Sequence, residues 1–184
     1  MRTVMMAIAF YASTIVALAG SGLGYDDSFQ ISYLSNPQLD GSLVTLASAN
    51  FHGSSVPGVF ICANVYVFSP DEFMVSCCSC AVTGHGIVSL SGTSLLAGVV
   101  SVPTRVTVKL VATLPVSGPG CAGNATAPTP KLAIGLRAWA TRVHTATPNF
   151  GTETAFENAP LGPMELGSLT STCSSSSTRT CSCL

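Results

Sequence analysis

The segment from Val59 to Cys80 reads VFICANVYVFSPDEFMVSCCSC, and its patterning sets the fold class of this 184-residue chain. Val59, Ile61, Val65, Tyr66, Val67 and Phe68 are β-branched or aromatic, types that favour an extended, pleated backbone, and Phe73, Met74 and Val75 resume the apolar run. Between the two runs, Ser69-Pro70-Asp71-Glu72 places a proline where a turn needs φ fixed at its second residue. These features predict a β-hairpin. Cys62, Cys77, Cys78 and Cys80, half of the eight cysteines, lie within it.

Upstream, Tyr25 to Ala47 alternates well enough for two strands, with Phe29, Ile31 and Tyr33 on one face of the first and Leu43, Val44 and Leu46 in the second. The break between them, Asn36-Pro37-Gln38-Leu39-Asp40-Gly41, is strong turn chemistry. Asn50 to Gly58 is a Ser/Gly-rich loop. Downstream, Gly84-His85-Gly86 reads as a turn and Ile87 to Leu90 as a short strand, followed by an irregular crossing from Ser91 to Pro103. Arg105 to Val111 alternates strictly, Val106, Val108 and Leu110 against Arg105, Thr107 and Lys109, which predicts a half-buried strand. Pro115 to Pro130 is a long loop, either a mobile lid or a flap pinned by Cys121, and the pinned flap is the expectation. Lys131 to Val143 alternates again and is expected to be the longest strand. Leu166, Leu169 and Cys173 fall at i, i+3 and i+7 after Pro163, which predicts a short helix. Many short strands, turns between them and no alternating strand-helix units together predict an all-β antiparallel β-sandwich or a barrel-like relative, with one short C-terminal helix.

Composition narrows the function classes. Charged residues are 8% of the chain, against a typical ~25%, while apolar residues are 47%. Such a surface repels other proteins weakly. The net charge is −1 and the seven basic residues are scattered, so nucleic acid, which needs clustered Lys and Arg on its phosphates, is excluded as an expected partner. Residues 1–19 carry Arg2, an apolar run from Val4 to Leu18 and small residues around Ala19, the pattern of a secretory signal peptide. At about 15 residues the run is short of the ~20 that cross a bilayer. Residues 20–184 are then one expected domain ending in a Cys-x-Cys tail, exported and without a membrane span after signal cleavage.

Cys62, Cys77, Cys78, Cys80, Cys121, Cys173, Cys181 and Cys183 all follow the leader, and an even count in an exported chain argues for disulfides. Eight cysteines allow about 105 pairings, so connectivity stays open. Neighbouring Cys77 and Cys78 are expected to reach different partners. Because Cys181 and Cys183 repeat the spacing of Cys78 and Cys80, the tail is expected to be stapled onto the hairpin.

Several segments together, ICANVYVF, EFMVSCCSC, GLRAWATRVH, ETAFENAPLGPMELGSL and the terminal CSCL, resemble a family of small secreted cysteine-rich bacterial proteins. That family carries a C-A-x-x-Y-V-F segment, a C-C-x-C cluster, an L-R-A-W strand and a C-x-C tail. The resemblance runs from Val59 to Leu184 and implies common ancestry and export, with no catalytic residue to carry over. The chain departs from the pattern at Ala81, where a proline usually follows the cluster, and in its Ser/Thr-rich tail, where glycine is common.

Each candidate chemistry has a bland competitor. Cys77, Cys78 and Cys80 with His85 could form a thiolate site for zinc or Cu(I), but in an oxidising compartment disulfides are expected, with no metal and no cofactor. His52, His85 and His144 lie in loops or at strand ends, and there is no G-x-S-x-G elbow or H-E-x-x-H helix, so no catalysis is expected. Trp139 with Tyr66 and Tyr33 could stack a sugar if they shared an exposed face, although core packing of Trp139 is the expectation. Asp26-Asp27 and Asp71-Glu72 read as solvated turns, and Asn124-Ala125-Thr126 matches a glycosylation sequon. The sequence thus points to a non-catalytic structural or interaction module of the cell envelope or extracellular matrix, whose partners are further copies of itself or an envelope or matrix component. A carbohydrate-binding module and a thiolate metal protein are the alternatives.

Overall fold

In a computed structural model describing residues 27–39, 41–48, 60–116, 120–144, 150–176 and 181–183, the central segment forms β3 (Phe60–Phe68) and β4 (Met74–Thr83). They pair antiparallel, Phe60 opposite Thr83, with a register shift between Val67 and Phe68. The turn is closed by Ser69 N donating to Phe73 O (2.9 Å) and Glu72 N to Ser69 O (3.0 Å), and it holds Glu72 at φ 67°.

Around this hairpin the chain adds β1 (Phe29–Ser35), β2 (Leu43–Ser48), β5 (Ile87–Ser91), β6 (Arg105–Thr113), β7 (Leu136–His144), β8 (Phe150–Ala155) and β9 (Glu157–Asn158). The first sheet runs β4-β3-β6-β1-β9 and the second β5-β2-β7-β8, every pairing antiparallel. The protein is an all-β sandwich of two sheets with one longer C-terminal helix, α2 (Pro163–Ser175), and four disulfides.

Period-2 alternation sorts each strand into two faces. Ile61, Ala63, Val65 and Val67 of β3 meet Val106, Val108, Leu110 and Ala112 of β6, and across the interface Val44, Leu46, Leu90, Leu136, Ala138 and Ala140, to make the main core. The other face of the first sheet is also covered. There Phe29, Tyr66, Cys77 and Val111 pack under Ala125, Leu161 and the Leu166, Leu169 and Cys173 stripe of α2. The molecule therefore has three layers, and β3 is buried on both sides, which is why its sequence reads as a near-continuous apolar run.

Four features differ from the sequence reading. β7 begins at Leu136 because Gly135 sits at φ 93°; of residues 131–135 only Leu132 bridges, to Thr113. β4, at 10 residues, is longer than β7 at 9. The 91–103 crossing contains a short helix, α1 (Gly92–Leu95), capped by Ser91 Oγ accepting from Ser94 N, and it buries Leu95 and Leu96. β8 and β9 were not anticipated, because every residue of both is exposed and leaves no apolar alternation to read. Residues 1–26, with the expected leader and Asp26, lie outside the described residues, as does His52. Among the described residues no helix is long and apolar enough to cross a membrane.

Candidate functional site

The cysteines pair as Cys62–Cys121, Cys77–Cys173, Cys78–Cys181 and Cys80–Cys183, with no free thiol among them. Strand parity explains the pattern. Cys62 and Cys77 have the parity of Asn64 and Tyr66, so they face the helix-covered side, where one bolts the 115–130 flap and the other bolts α2. Cys78 and Cys80 face the sandwich interior opposite Val65 and Ala63, and there they receive the tail in parallel register, 78 with 181 and 80 with 183. Adjacent Cys77 and Cys78 thus serve different layers because neighbouring strand residues point to opposite faces.

This arrangement breaks up the suspected metal set. The sulfurs of Cys78, Cys80 and Cys183 do lie within 4.8 Å of one another, but each is bound in a disulfide and offers no thiolate. Cys77 points to the other face, and His85 is exposed in the β4–β5 turn at φ 62°, outside that group. His144 stacks on Phe150 with centroids 4.5 Å apart and bonds Thr152 at 3.0 Å.

The aromatic trio is not brought onto one face. Tyr66 is fully buried under α2 and donates its hydroxyl to Ala125 O at 3.0 Å; burial pushes its phenol well above the ordinary value. Trp139 is not a core residue: in β7 the small Ala138 and Ala140 face inward, leaving Trp139 half-buried on the outer face of the second sheet between Thr45 and Ala155. Tyr33 is 75% exposed on the first sheet. Asn124 is fully buried, donating to Thr113 Oγ1 (2.8 Å) and Leu114 O (2.7 Å) and accepting from Val116 N (3.1 Å), so its amide is out of reach of a glycosylating enzyme in the folded chain. Asp27 is no idle turn residue: its carboxylate pairs with Arg137 (3.1 Å) and accepts from Gly135 N (3.0 Å).

Part of the concave surface gathers around Tyr33. Three adjoining depressions share it as a wall. The first, about 550 Å³, is lined by Tyr33, Pro70, Arg105, Thr107 and Arg142 among others and has no acidic residue. The second, of about 550 Å³, holds Phe68, Lys109, Glu72 and Glu165. The third, of about 300 Å³, lies between β1, β8 and β9 and holds Arg142 and Glu157. Register places the pieces: Tyr33 and Phe68 flank Thr107, and Arg105 lies opposite Ser35. Arg142 reaches the rim from the second sheet, with the inward parity of Leu136, Ala138 and Ala140, at the edge where β7 nears β1.

Lys109 is engaged, 2.7 Å from Glu165 and with its Nζ 5.4 Å from the Phe68 ring centroid, a contact that ties α2 to the sheet. Arg105 and Arg142 form no ion pair among the described residues. Sequence alternation placed Arg105 on the face opposite the core residues of β6, but nothing local indicated that β1 and β7 would bring Tyr33 and Arg142 to it. Comparison with protein-family models, curated proteins and solved structures gives no match to this chain.

Proposed function

We propose that this protein is an exported, disulfide-stabilised structural or interaction module of the cell envelope or extracellular matrix, acting by association and without catalysis. The observation that carries this reading is the outer face of the second sheet. Around the buried Thr45 it carries Leu43, Ala47, Ile87, Ser89, Trp139, Thr141 and Val143 with only Arg137 and Glu153 charged, while α2 packs on the other sheet. A face so poor in charge meets little repulsion from a like surface and loses little hydration when covered. The four bridges support an oxidising, extracytoplasmic setting. The resemblance to the secreted cysteine-rich family supports the same reading.

Sedimentation over a wide concentration range, with pull-down on envelope and matrix fractions, tests it. Self-association or retention that Trp139→Arg abolishes is expected. A strict monomer that nothing retains refutes the proposal. Glycan binding is the second reading, favoured by the exposed Tyr33 within its run of depressions.

A further inference from the structure

We infer that the acid-free depression beside Tyr33 binds a carboxylate-bearing polysaccharide, gripped by Arg105 and Arg142. This rests on the association reading above and supplies the chemistry of one partner.

Charge is scarce in this chain; of the other described cations Lys109 is answered by Glu165 and Arg137 by Asp27, and Lys131 is exposed outside the depression. Arg105 and Arg142 instead converge from two different sheets on one depression with no acidic lining residue. Two guanidinium groups lining one depression that has no acidic residue in it repel each other, and an anion between them removes that repulsion. Each guanidinium offers a planar fork that matches a carboxylate.

The apolar part of the site selects the rest of the ligand. Tyr33 and Pro70 offer flat faces, and a pyranose ring has an apolar C–H face that stacks on such surfaces while its hydroxyls and carboxylate project from the ring edge. Because Tyr33 is a wall common to all three depressions, a bound chain can continue past it in either direction, which suits a polymer. The flanking depressions carry Glu72 beside the Lys109–Glu165 pair on one side and Glu157 on the other. A second carboxylate is therefore disfavoured on the sugars adjoining the first, and the fitting polymer alternates acidic with uncharged residues.

The test is titration of the oxidised protein at physiological salt with hyaluronate, a polymer alternating uronate and uncharged sugars, beside its carboxyl-reduced form and inorganic polyphosphate. Saturable hyaluronate binding is expected, weakened about tenfold or more by Arg105→Gln, Arg142→Gln or Tyr33→Ala and nearly lost on carboxyl reduction. Lys131→Gln, outside the depression, should leave binding unchanged. These positions are exposed or half-buried, and thermal melting verifies that each variant folds. Absence of binding, equal binding by the variants, equal binding of the carboxyl-reduced polymer, or equal binding of polyphosphate would each overturn the site. Should hyaluronate binding fail while Trp139-dependent association persists, the site falls and the association reading stands; failure of both removes both.

Discussion

Removing both tail bridges, with Cys78, Cys80, Cys181 and Cys183 all changed to Ala, is expected to cost much less stability than their loop lengths imply. Taken alone, Cys78–Cys181 and Cys80–Cys183 each join residues 103 apart, and in the chain-entropy model each would contribute about 4.7 kcal/mol. They are not alone. Cys77–Cys173 already closes a loop of separation 96 beside them. With that bridge in place, Cys78–Cys181 closes only the ring from Cys78 through Cys77 and Cys173 to Cys181, about 11 residues, worth about 3 kcal/mol. Cys80–Cys183 then closes a ring of about 6 residues, worth about 2 kcal/mol. The pair together should therefore contribute about 5 kcal/mol and not about 9, and losing Cys80–Cys183 alone should cost about 2 kcal/mol. Deleting Cys77–Cys173 as well opens a ring that Cys62–Cys121 shortens to about 69 residues, so the triple deletion should be roughly 4–5 kcal/mol worse than the double. Denaturant unfolding of the four oxidised proteins, with m-values compared to detect changes in the denatured state, measures each step. Independent losses of about 4–5 kcal/mol for each bridge would refute the nested-ring reasoning.

Three further outcomes follow from the packing. A Cβ at Gly92 would lie 1.8 Å from Pro37 O, a backbone atom that cannot swing away, so Gly92→Ala should cost about 3 kcal/mol in thermal or urea unfolding; Gly167→Ala, in α2 with nothing within 4 Å, should instead stabilise by about 1 kcal/mol, and equal effects at the two sites would contradict the geometry. Thr113 Oγ1 accepts from Asn64 Nδ2 (3.0 Å) and Asn124 Nδ2 (2.8 Å) in a fully buried network, so Thr113→Val should cost about 2 kcal/mol, and a loss indistinguishable from zero would show that water replaces the acceptor. Burial raises the Tyr66 pKa, so above pH ~10 the unfolded chain releases a proton that the folded chain keeps, and the Tyr66 contribution to stability should be constant below that pH and then fall by up to about 1.4 kcal/mol per unit; Tyr66→Phe should remove this part of the slope at a cost of about 1 kcal/mol at neutral pH, and an unchanged alkaline slope would place its origin elsewhere.

The β class, the central hairpin and the C-terminal helix were legible because each depends on local signals: alternation in β6, a proline turn between β3 and β4, and Leu166, Leu169 and Cys173 on one helical stripe after Pro163. What escaped depends on tertiary context. β8 is a polar edge strand whose extended form comes from pairing with β7, so FGTETA carries no burial pattern of its own. The first residues of the predicted 131–143 strand were lost at Gly135, whose positive φ turns the chain where its N–H donates to the Asp27 carboxylate. Trp139 was misassigned because size was weighed above parity; Ala138 and Ala140 already marked the inward face, and a tryptophan between them has to point out.

Parity also contained more of the disulfide framework than cysteine counting revealed. Within a strand, Cys77 and Cys78 must face opposite sides, while Cys78 and Cys80 must share one. A C-C-x-C strand is therefore a connector for two layers, one sulfur to one side and two to the other, and a C-x-C tail lying extended can satisfy only the shared pair. With Cys181 and Cys183 assigned to Cys78 and Cys80, the remaining Cys77 must take its partner from the opposite layer, where the helix stripe ends in Cys173. The same logic accounts for where the surface is left open. The three bridges from β4 and the one from β3 all secure the first sheet's coverings, so the described chain covers most of that sheet on both faces and leaves its Tyr33 rim exposed and the second sheet's Trp139 only half-buried. The bridges hold the first sheet and its coverings in place, and a surface already held in its bound shape, such as the Tyr33 rim on that sheet, loses less entropy when a partner docks there.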